Sequence, residues 1–267
     1  MNQSRNATIS VIQAYRWTGR IWEAIGQALR LRDGLYVPAA LSNYGTTLAV
    51  VFSDGVDVFY WTNTDGDIRG NRVDEWDWRD YSVKSVALSL DGFVLAFLVC
   101  DRPAGRGYVQ VYHWSGSMWL QQGSTLRGFS SDDGSSCSPS LSLSGSGRVV
   151  AVGEPAGNNV VIYQDNAADW FQIGEALRGE GRFGSSVSLS IDGDMVAIGG
   201  EGDSGVVVYR LSPNSADWLR VGRELGGGAN STLSIPTSMS GDGTRVAVSF
   251  SNETHSALVR VYDLHLN

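Results

Sequence analysis

Three tryptophans occupy corresponding places along the chain and are the first candidates for a binding site. Trp17, Trp61 and Trp114 each follow a tyrosine, either directly or after one intervening residue. The face of an aromatic ring suits the apolar face of a sugar, so a row of such rings along one rim would form sugar-stacking platforms. The alternative is that the three rings only cover the edges of the strands that carry them.

Three arginines that each follow a leucine form the second candidate set: Arg30, Arg127 and Arg178. The chain is acidic, with a formal net charge of −8 at pH 7. A ring of guanidinium groups on such a protein would attract an acidic ligand or partner, because arginine can contact a carboxylate through two hydrogen bonds at once. The alternative is that each arginine is a solvated strand end.

The residues that most often carry catalysis or bind metals lack a suitable arrangement. The chain has three histidines, His113, His255 and His265. None of them has a spacing that suggests a catalytic relay or a zinc site. An Asp-Gly pair recurs at Asp91, Asp192 and Asp242. This pair is typical of hairpin turns, so the sequence predicts that the chain is not an enzyme and binds no metal and no cofactor.

Composition narrows the classes of partner and location. An acidic chain repels phosphate backbones, which argues against nucleic acid. No apolar run reaches membrane-spanning length, so we expect no membrane insertion. The first eight residues lack the apolar region of a signal peptide. Four Asn-x-Ser/Thr sites favour an extracellular or cell-surface location: Asn2, Asn6, Asn230 and Asn252. Whether Cys100 and Cys137 form a disulfide stays open at this point.

The candidate residues lie in a sequence that repeats five times. A motif of leucine or methionine, serine, two variable residues and glycine begins at Leu41, Leu88, Leu143, Leu189 and Met239. Successive copies are 47, 55, 46 and 50 residues apart. An alanine follows eight residues after each start, at Ala49, Ala96, Ala151, Ala197 and Ala247. Five alanines at one fixed offset indicate a structural repeat.

Each repeat has four segments with strand character, which we name strands a to d. Strand a ends in the leucine–serine motif, and strand b carries the alanine after a turn rich in glycine, aspartate and serine. Strand c is an apolar run that ends in tyrosine, as at Tyr60 and Tyr112. Strand d reads Trp-x-x-x-Gly-x-x-Leu, as at Trp170. In the first repeat Ile68 replaces the tryptophan and the glycine is absent, so we expect that outer strand to be the least regular.

Four antiparallel strands in about 50 residues are typical of one blade of a β-propeller. The predicted fold is therefore all-β, a five-bladed β-propeller of four-stranded antiparallel blades. Because each blade buries its faces only against its neighbours, residues 1–267 are expected to form a single domain.

The ends of the chain are out of phase with the repeat. Residues 11–17 match strand c and residues 22–29 match strand d, whereas the last repeat ends at Tyr262 without a strand d. We therefore predict that the N-terminal strand d completes the last blade and closes the ring. One strand c is then left over: either residues 11–16 form a spare edge strand outside strand d, or one terminus pairs elsewhere. An exposed edge favours self-association with another chain.

Residues 183–199, followed by residues 205–209, resemble an FG-GAP repeat, the blade unit of integrin-α-like propellers. The Trp-x-x-x-Gly-x-x-Leu segments resemble those of FG-GAP-like surface and secreted proteins of microalgae and some bacteria. This resemblance implies a propeller, an extracellular or surface location, and adhesion. Family members often hold calcium in a loop with carboxylates at alternate positions. The corresponding turns here lack those alternating oxygen ligands, so calcium is not carried over.

The predicted function is a non-catalytic binding, adhesion or assembly scaffold that recognises a protein or a glycan. One alternative is a glycan-binding lectin with an aromatic pocket in each repeat. The other is a glycan-acting hydrolase or lyase built on a propeller. Repeated pockets would favour the lectin, and a single irregular cluster of acidic residues would favour the enzyme, because a propeller fold by itself does not determine function.

Overall fold

The chain folds into antiparallel β-sheets, which confirms the predicted all-β class. The computed structural model describes residues 10–31, 38–52, 55–61, 68–73, 81–101, 105–130, 140–201, 205–226, 236–251 and 257–264. Apart from one short 3₁₀ turn at Pro155–Gly157, the regular elements in these ranges are all strands. None of the described residues forms a helix that is long and apolar enough to cross a membrane.

The described strands form six sheets. The N-terminal hairpin consists of β1 (Ser10–Trp17) and β2 (Trp22–Leu31). The first sheet consists of β3 (Ala39–Leu41), β4 (Thr47–Phe52), β5 (Gly55–Trp61) and β6 (Ile68–Arg72). The second sheet consists of β7 (Tyr81–Leu88), β8 (Val94–Asp101), β9 (Arg106–Trp114), β10 (Trp119–Gln121) and β11 (Leu126–Ser130).

The remaining three sheets follow the same order along the chain. The third sheet consists of β12 (Ser140–Leu143), β13 (Val149–Glu154), β14 (Asn159–Asp165), β15 (Trp170–Gln172) and β16 (Leu177–Arg178). The fourth sheet consists of β17 (Ser186–Leu189), β18 (Met195–Gly199), β19 (Val206–Leu211) and β20 (Trp218–Leu225). In the described part of the chain, the fifth sheet consists of β21 (Thr237–Met239), β22 (Arg245–Ser251) and β23 (Ala257–Asp263).

The leucine–serine motif builds the turn between strands a and b. In the second sheet the Ser89 hydroxyl accepts the Val94 N–H at 2.9 Å, and the Gly92 N–H donates to the Ser89 carbonyl at 3.1 Å. Gly92 has a φ of +78°, a left-handed conformation that glycine adopts without strain. The serine hydroxyl accepts the equivalent N–H at 2.9–3.1 Å in all five turns, at Ser42, Ser89, Ser144, Ser190 and Ser240. The most regular motif of the sequence is therefore a requirement of turn geometry.

Strand c of the first sheet is one residue out of the predicted phase. By its pairing with strand b, Phe59 and not Tyr60 aligns with Tyr112 of the second sheet. Trp61 and Trp114 consequently fall at the same strand position, the last residue of strand c. The sequence suggested Tyr60 because two aromatic residues stand side by side there, and only Phe59 lies on the face of its strand that Tyr112 occupies in the second sheet.

The outer strand of the first sheet is more regular than predicted. β6 pairs with β5 without a register shift, whereas the glycine-containing strand d is divided into two short strands in the second and third sheets. The glycines at the breaks, Gly123 and Gly174, have φ values of +69° and +71°. In β2 and β20 the same glycine lies in a continuous strand whose pairing has a register shift, whereas β6, which lacks the glycine, has neither a break nor a shift.

The core lies between successive sheets. We call the side of a sheet that meets the preceding sheet its front face, and the other side its back face. Between the fourth and fifth sheets, Ala197, Val206 and Val208 on the back face pack against Val246 and Val248 on the front face. All five side chains are completely buried. The same back-face positions are buried in the three earlier sheets at Ala49, Val56, Val58, Ala96, Val109, Val111, Ala151, Val160 and Ile162.

Strands a hold the sheets in order. Each strand a lies beside strand a of the next sheet, from β3 to β21. Their turns are also joined by backbone hydrogen bonds: the Leu90 N–H donates to the Gly145 carbonyl, the Gly145 N–H to the Ile191 carbonyl, and the Ile191 N–H to the Gly241 carbonyl, each at 2.8 Å. Successive sheets are therefore joined to one another along their a strands.

The N-terminal strands do not close the structure in the predicted way. β2 pairs with β1 from Trp22 to Leu31, and within the described ranges β23 pairs only with β22. The inner side of the hairpin, with Ile12 and Leu29, packs on Leu48 and Val50 of the first sheet. The hairpin therefore acts as strands c and d of a sheet that precedes the first one. β1 is not spare, because it is the partner of β2.

The back-face alanine tests this packing. We expect Ala197→Leu to lower the free energy of unfolding by about 1–3 kcal/mol, because extra methylenes are forced into a filled interface. Ala247 is the equivalent residue of the fifth sheet and is only half-buried, so Ala247→Leu should change stability by less than about 0.5 kcal/mol. Urea denaturation measures both. Equal losses of unfolding free energy in the two variants would contradict the assignment of Ala197 to a covered face and Ala247 to an uncovered one.

Candidate functional site

Trp17 lies at the exposed outer side of the N-terminal hairpin. It pairs across the hairpin with Trp22, and the two ring centroids are 5.6 Å apart at an interplanar angle of 50°. The two side chains are 51% and 66% exposed, and Tyr15 beside them is 56% exposed. This aromatic surface of Tyr15, Trp17 and Trp22, which we call the hairpin front, is available to a ligand or a partner.

Trp114 lies between the first and second sheets. Its ring centroid is 6.1 Å from that of Tyr60 and 5.6 Å from that of Trp119, and its backbone N–H donates to the Phe93 carbonyl at 2.8 Å. Burial raises the pKa of Tyr60 to about 12. Trp114 therefore contributes to packing between sheets, in agreement with the alternative that it covers strand edges.

The three predicted tryptophans share a strand position but do not form a row through the whole molecule. Trp61 ends β5 opposite Ile68, and its side chain lies outside the part of the chain that the structure describes. In the third and fourth sheets the same position is Asp165 and Leu211. Asp165 is buried and accepts a hydrogen bond from the Gln122 amide at 3.1 Å. The aromatic position is thus absent from these two sheets.

The three predicted arginines align on the outermost strands. Arg30, Arg127 and Arg178 occupy the same register of strand d opposite strand c, and all three are exposed. The Arg127 guanidinium carbon lies 5.6 Å from the centroid of the Tyr108 ring, which is a cation–π distance. Burial raises the pKa of Tyr108, and the charge of Arg127 acts against that shift. The arginines therefore form a spaced set along the outer edges, one in each of three sheets.

Two of the three repeated aspartates, Asp91 and Asp242, hold turns, whereas in the fourth sheet the Ser190 hydroxyl donates to Asp194. The Asp242 carboxylate accepts hydrogen bonds from the Ser240 hydroxyl at 2.6 Å and from the Thr244 hydroxyl at 2.8 Å. These hydrogen bonds, with that of the Thr244 N–H, lower the pKa of Asp242 to about 2. In the second sheet Asp91 likewise accepts the Ser89 hydroxyl at 2.7 Å.

Asp169, which directly precedes Trp170 in the sequence, links two sheets. Its carboxylate accepts the Ser124 N–H at 2.6 Å, the Ser124 hydroxyl at 2.9 Å and the Trp170 N–H at 2.8 Å. The hydrogen bonds from Ser124 and Trp170 lower the pKa of Asp169. Within the described ranges, no three His, Cys, Asp or Glu side chains are grouped so that they could hold a metal ion.

The tryptophan and glycine of strand d interlock between neighbouring sheets. The Trp170 indole N–H donates to the Gln122 carbonyl of the second sheet at 2.7 Å, and a Cβ on Gly123 would lie 2.7 Å from the Trp170 ring. Trp218 repeats this arrangement on the third sheet: its N–H donates to Ile173 at 3.1 Å, and a Cβ on Gly174 would lie 2.8 Å from its ring. The spacing Trp-x-x-x-Gly was visible in the sequence. The sequence did not show that the glycine of one repeat packs against the tryptophan of the next repeat.

The fifth sheet leaves these contacts open. A Cβ on Gly222, the equivalent glycine of the fourth sheet, would meet no atom within 4 Å. Val259 and Val261 of β23 are 69% and 64% exposed, whereas the eight equivalent side chains of the other four sheets are at most 2% exposed. We call the back-face surface formed by Val259 and Val261 the open end. Together with the hairpin front, it is the main candidate site of the molecule.

Comparisons with known proteins support the fold. No protein-family model and no curated protein matches the sequence, so the FG-GAP resemblance gains no support from them. Among solved structures, Sqt1 of Chaetomium thermophilum, bound to the N-terminus of a ribosomal protein, has a TM-score of 0.62 at 16% identity and covers 96% of this chain and 67% of its own.

Two further solved structures are named as enzymes. The periplasmic gluconolactonase of Pseudomonas aeruginosa has a TM-score of 0.56 at 17% identity over 97% of this chain and 79% of that one. A putative 6-phosphogluconolactonase of Bacteroides uniformis has a TM-score of 0.55 at 15% identity over 99% and 79%.

The gluconolactonases correct one prediction. We predicted from the fold and the residue spacing that the chain is not an enzyme. This inference is wrong, because proteins of the same fold are named as enzymes. The similar structures are propeller proteins. The chain therefore has a propeller-type all-β fold.

Proposed function

We propose that the chain is a binding and assembly scaffold whose copies associate head to tail, the open end of one copy packing on the hairpin front of the next. The exposure of Val259 and Val261 is the observation that carries this proposal. At the four inner interfaces the equivalent side chains are covered by the front face of a following element. Full burial of one valine stabilises a protein by about 1.5–3 kcal/mol, so two uncovered valines favour association.

The hairpin front is an exposed aromatic surface that suits the exposed valines of the open end. Tryptophans at the start of strand d, such as Trp119, Trp170 and Trp218, are buried against the preceding sheet, whereas Trp22 is 66% exposed. A back face and a front face are thus both uncovered in the described structure. A heterologous contact of this kind joins copies in one direction and forms either a ring or a filament.

A disulfide supports an extracellular or cell-surface location for the scaffold. Cys100 is buried in β8 and is disulfide-bonded. The chain has two cysteines, and Cys137 lies outside the described ranges. Disulfides persist in oxidising compartments and are rare in the cytosol.

Glycan binding at the hairpin front is the second candidate function. The exposed pair of Trp17 and Trp22 supports it, because two rings on one surface can stack on the apolar face of a sugar. A glycan array tests it, with Trp22→Ala as the control that should lose the signal. Because two similar structures are named as gluconolactonases, the same protein should also be assayed for lactone hydrolysis.

Sedimentation velocity over a range of concentrations tests the assembly. We expect the mass of the parent protein to rise with concentration and the double variant Val259→Ser/Val261→Ser to remain monomeric. Trp22→Ala should also remain monomeric, because it alters the other half of the same contact. Phe171→Ser, at an exposed position of the third sheet, should associate like the parent.

Mixing the two variants separates a head-to-tail contact from other forms of association. Each variant keeps one intact end, so an equimolar mixture should form a 1:1 dimer and nothing larger. A parent protein that is monomeric at every concentration, or variants that associate as the parent does, would overturn the proposal.

A further inference from the structure

The outer edge of β23 has no paired strand in the ranges that the structure describes. Within the described residues, each of the other five c strands pairs with a strand d: β1 with β2, β5 with β6, β9 with β10 and β11, β14 with β15 and β16, and β19 with β20. β23 pairs with β22 on one side only. Its other side presents backbone donors and acceptors to a further strand.

The backbone positions that would bind this strand can be read from the other sheets. The Gln122 N–H donates to the Val111 carbonyl at 2.8 Å, and the Ile173 N–H donates to the Ile162 carbonyl at 2.9 Å. Pairing with the strand-b alanine shows that Val261 is the equivalent residue of β23. The Val261 carbonyl therefore faces the open edge.

The fourth sheet carries a prepared site for a tryptophan side chain. In the two interlocked pairs the indole N–H reaches the fourth residue of the preceding strand d, and the ring lies over the glycine at the fifth. On β20 these residues are Val221 and Gly222. Gly222 has the same left-handed φ, +64°, and the space above it is open.

We propose that the open edge of β23 binds a strand from a separate polypeptide that carries the sequence Trp-x-x-x-Gly-x-x-Leu. The strand pairs antiparallel with β23, its indole N–H donates to the Val221 carbonyl, and its ring covers Gly222. The proposed occupant is a strand of a separate polypeptide, since each of the five d strands within the described ranges is already paired with its own strand c. Strand addition to an exposed edge is a common mode of peptide recognition, in which the backbone gives affinity and the pockets give specificity.

This site is distinct from the head-to-tail contact. Strand addition uses the edge of β23 and the Gly222 space, whereas the head-to-tail contact uses the back face with Val259 and Val261. The two proposals can therefore fail independently: a chain that binds the strand and stays monomeric supports only this one.

A fluorescein-labelled peptide with the sequence of residues 217–225, which includes the strand d that begins at Trp218, is the probe. Fluorescence anisotropy should show saturable binding to the parent protein. The same peptide with alanine in place of its tryptophan should bind about tenfold or more weakly, because buried tryptophans dominate binding energy at such contacts.

A matched pair of glycine variants locates the site on the protein. Gly222→Asn should weaken binding of the peptide about tenfold, because the new side chain fills the space of the tryptophan ring, and asparagine tolerates a left-handed φ. Gly26→Asn makes the same change at a glycine with a φ of +65° in β2, and it should leave binding unchanged. Thermal denaturation of both variants shows that they fold.

Three results would overturn the proposal. They are no binding at millimolar peptide, equal affinity for the parent and alanine peptides, and a Gly222→Asn protein that folds and binds the peptide as the parent does.

Discussion

Gly92→Ala is expected to lower the free energy of unfolding by about 2–5 kcal/mol. A non-glycine residue in the left-handed conformation costs about 1–2 kcal/mol, and Gly92 has a φ of +78°. The new Cβ would also lie 2.5 Å from Cβ of Thr47, which is buried in the preceding sheet. Overpacking of this kind adds about 1–3 kcal/mol.

Gly45→Ala is the matched control for the contact between sheets. Gly45 stands at the same position of the first turn, with a φ of +68°, and a Cβ there would meet no atom within 4 Å. This variant should therefore lose only the conformational part, about 1–2 kcal/mol. Urea denaturation of both proteins gives the difference. Equal losses would mean that the turn glycines do not pack against the preceding sheet.

Trp170→Ala is expected to cost about 3–5 kcal/mol, the usual range for truncation of a buried large aromatic residue. Trp170 is 9% exposed, and its indole N–H donates to the Gln122 carbonyl at 2.7 Å. Trp22→Ala truncates the equivalent tryptophan of the hairpin, which is 66% exposed, and should change stability by about 0.5 kcal/mol or less.

Differential scanning calorimetry compares the two tryptophan variants. At a protein concentration that gives monomers, a large loss of stability in Trp22→Ala would show that the hairpin front is covered within a single copy. Trp170→Phe helps to separate the two contributions at the buried site, because it keeps much of the ring packing and loses the hydrogen bond. We expect the stability of Trp170→Phe to lie between that of the parent protein and that of Trp170→Ala.

The repeated part of the fold could be predicted from the sequence because its signals are local. The serine and glycine of each turn bind and bend their own backbone, as Ser89 and Gly92 do. The alanine at a fixed offset reports the close approach of two sheets. Periodic alternation places Val206 and Val208 on one face of their strand, where they are buried.

The ends of the array could not be predicted in the same way, because pairing between distant segments leaves no local signal. The sequence of β2 is that of a strand d, and a strand d fits either the fifth sheet or the adjacent β1. The short connection from Trp17 to Trp22 favours the local hairpin. The open space above Gly222 could not be predicted for the same reason, since it depends on which strands of the next sheet lie beside it.

The candidate site was predicted in part. Trp17 was identified from its position, and its neighbours Tyr15 and Trp22 complete the exposed surface. Trp114 has the same spacing and lies between sheets instead. Spacing alone does not distinguish these two environments, because they differ only in whether another sheet stands in front.

Hydrogen exchange of β23 tests most directly whether the fifth sheet is open. The measurement compares the amides of Val259 and Val261 with those of Val206 and Val208, at a protein concentration low enough to give monomers. The edge-facing amides of β23 should exchange rapidly, while their counterparts in β19, which are paired with β20, should be protected. Equal protection in the two strands would show that a strand d already completes the fifth sheet, and both the open end and the assembly built on it would be wrong.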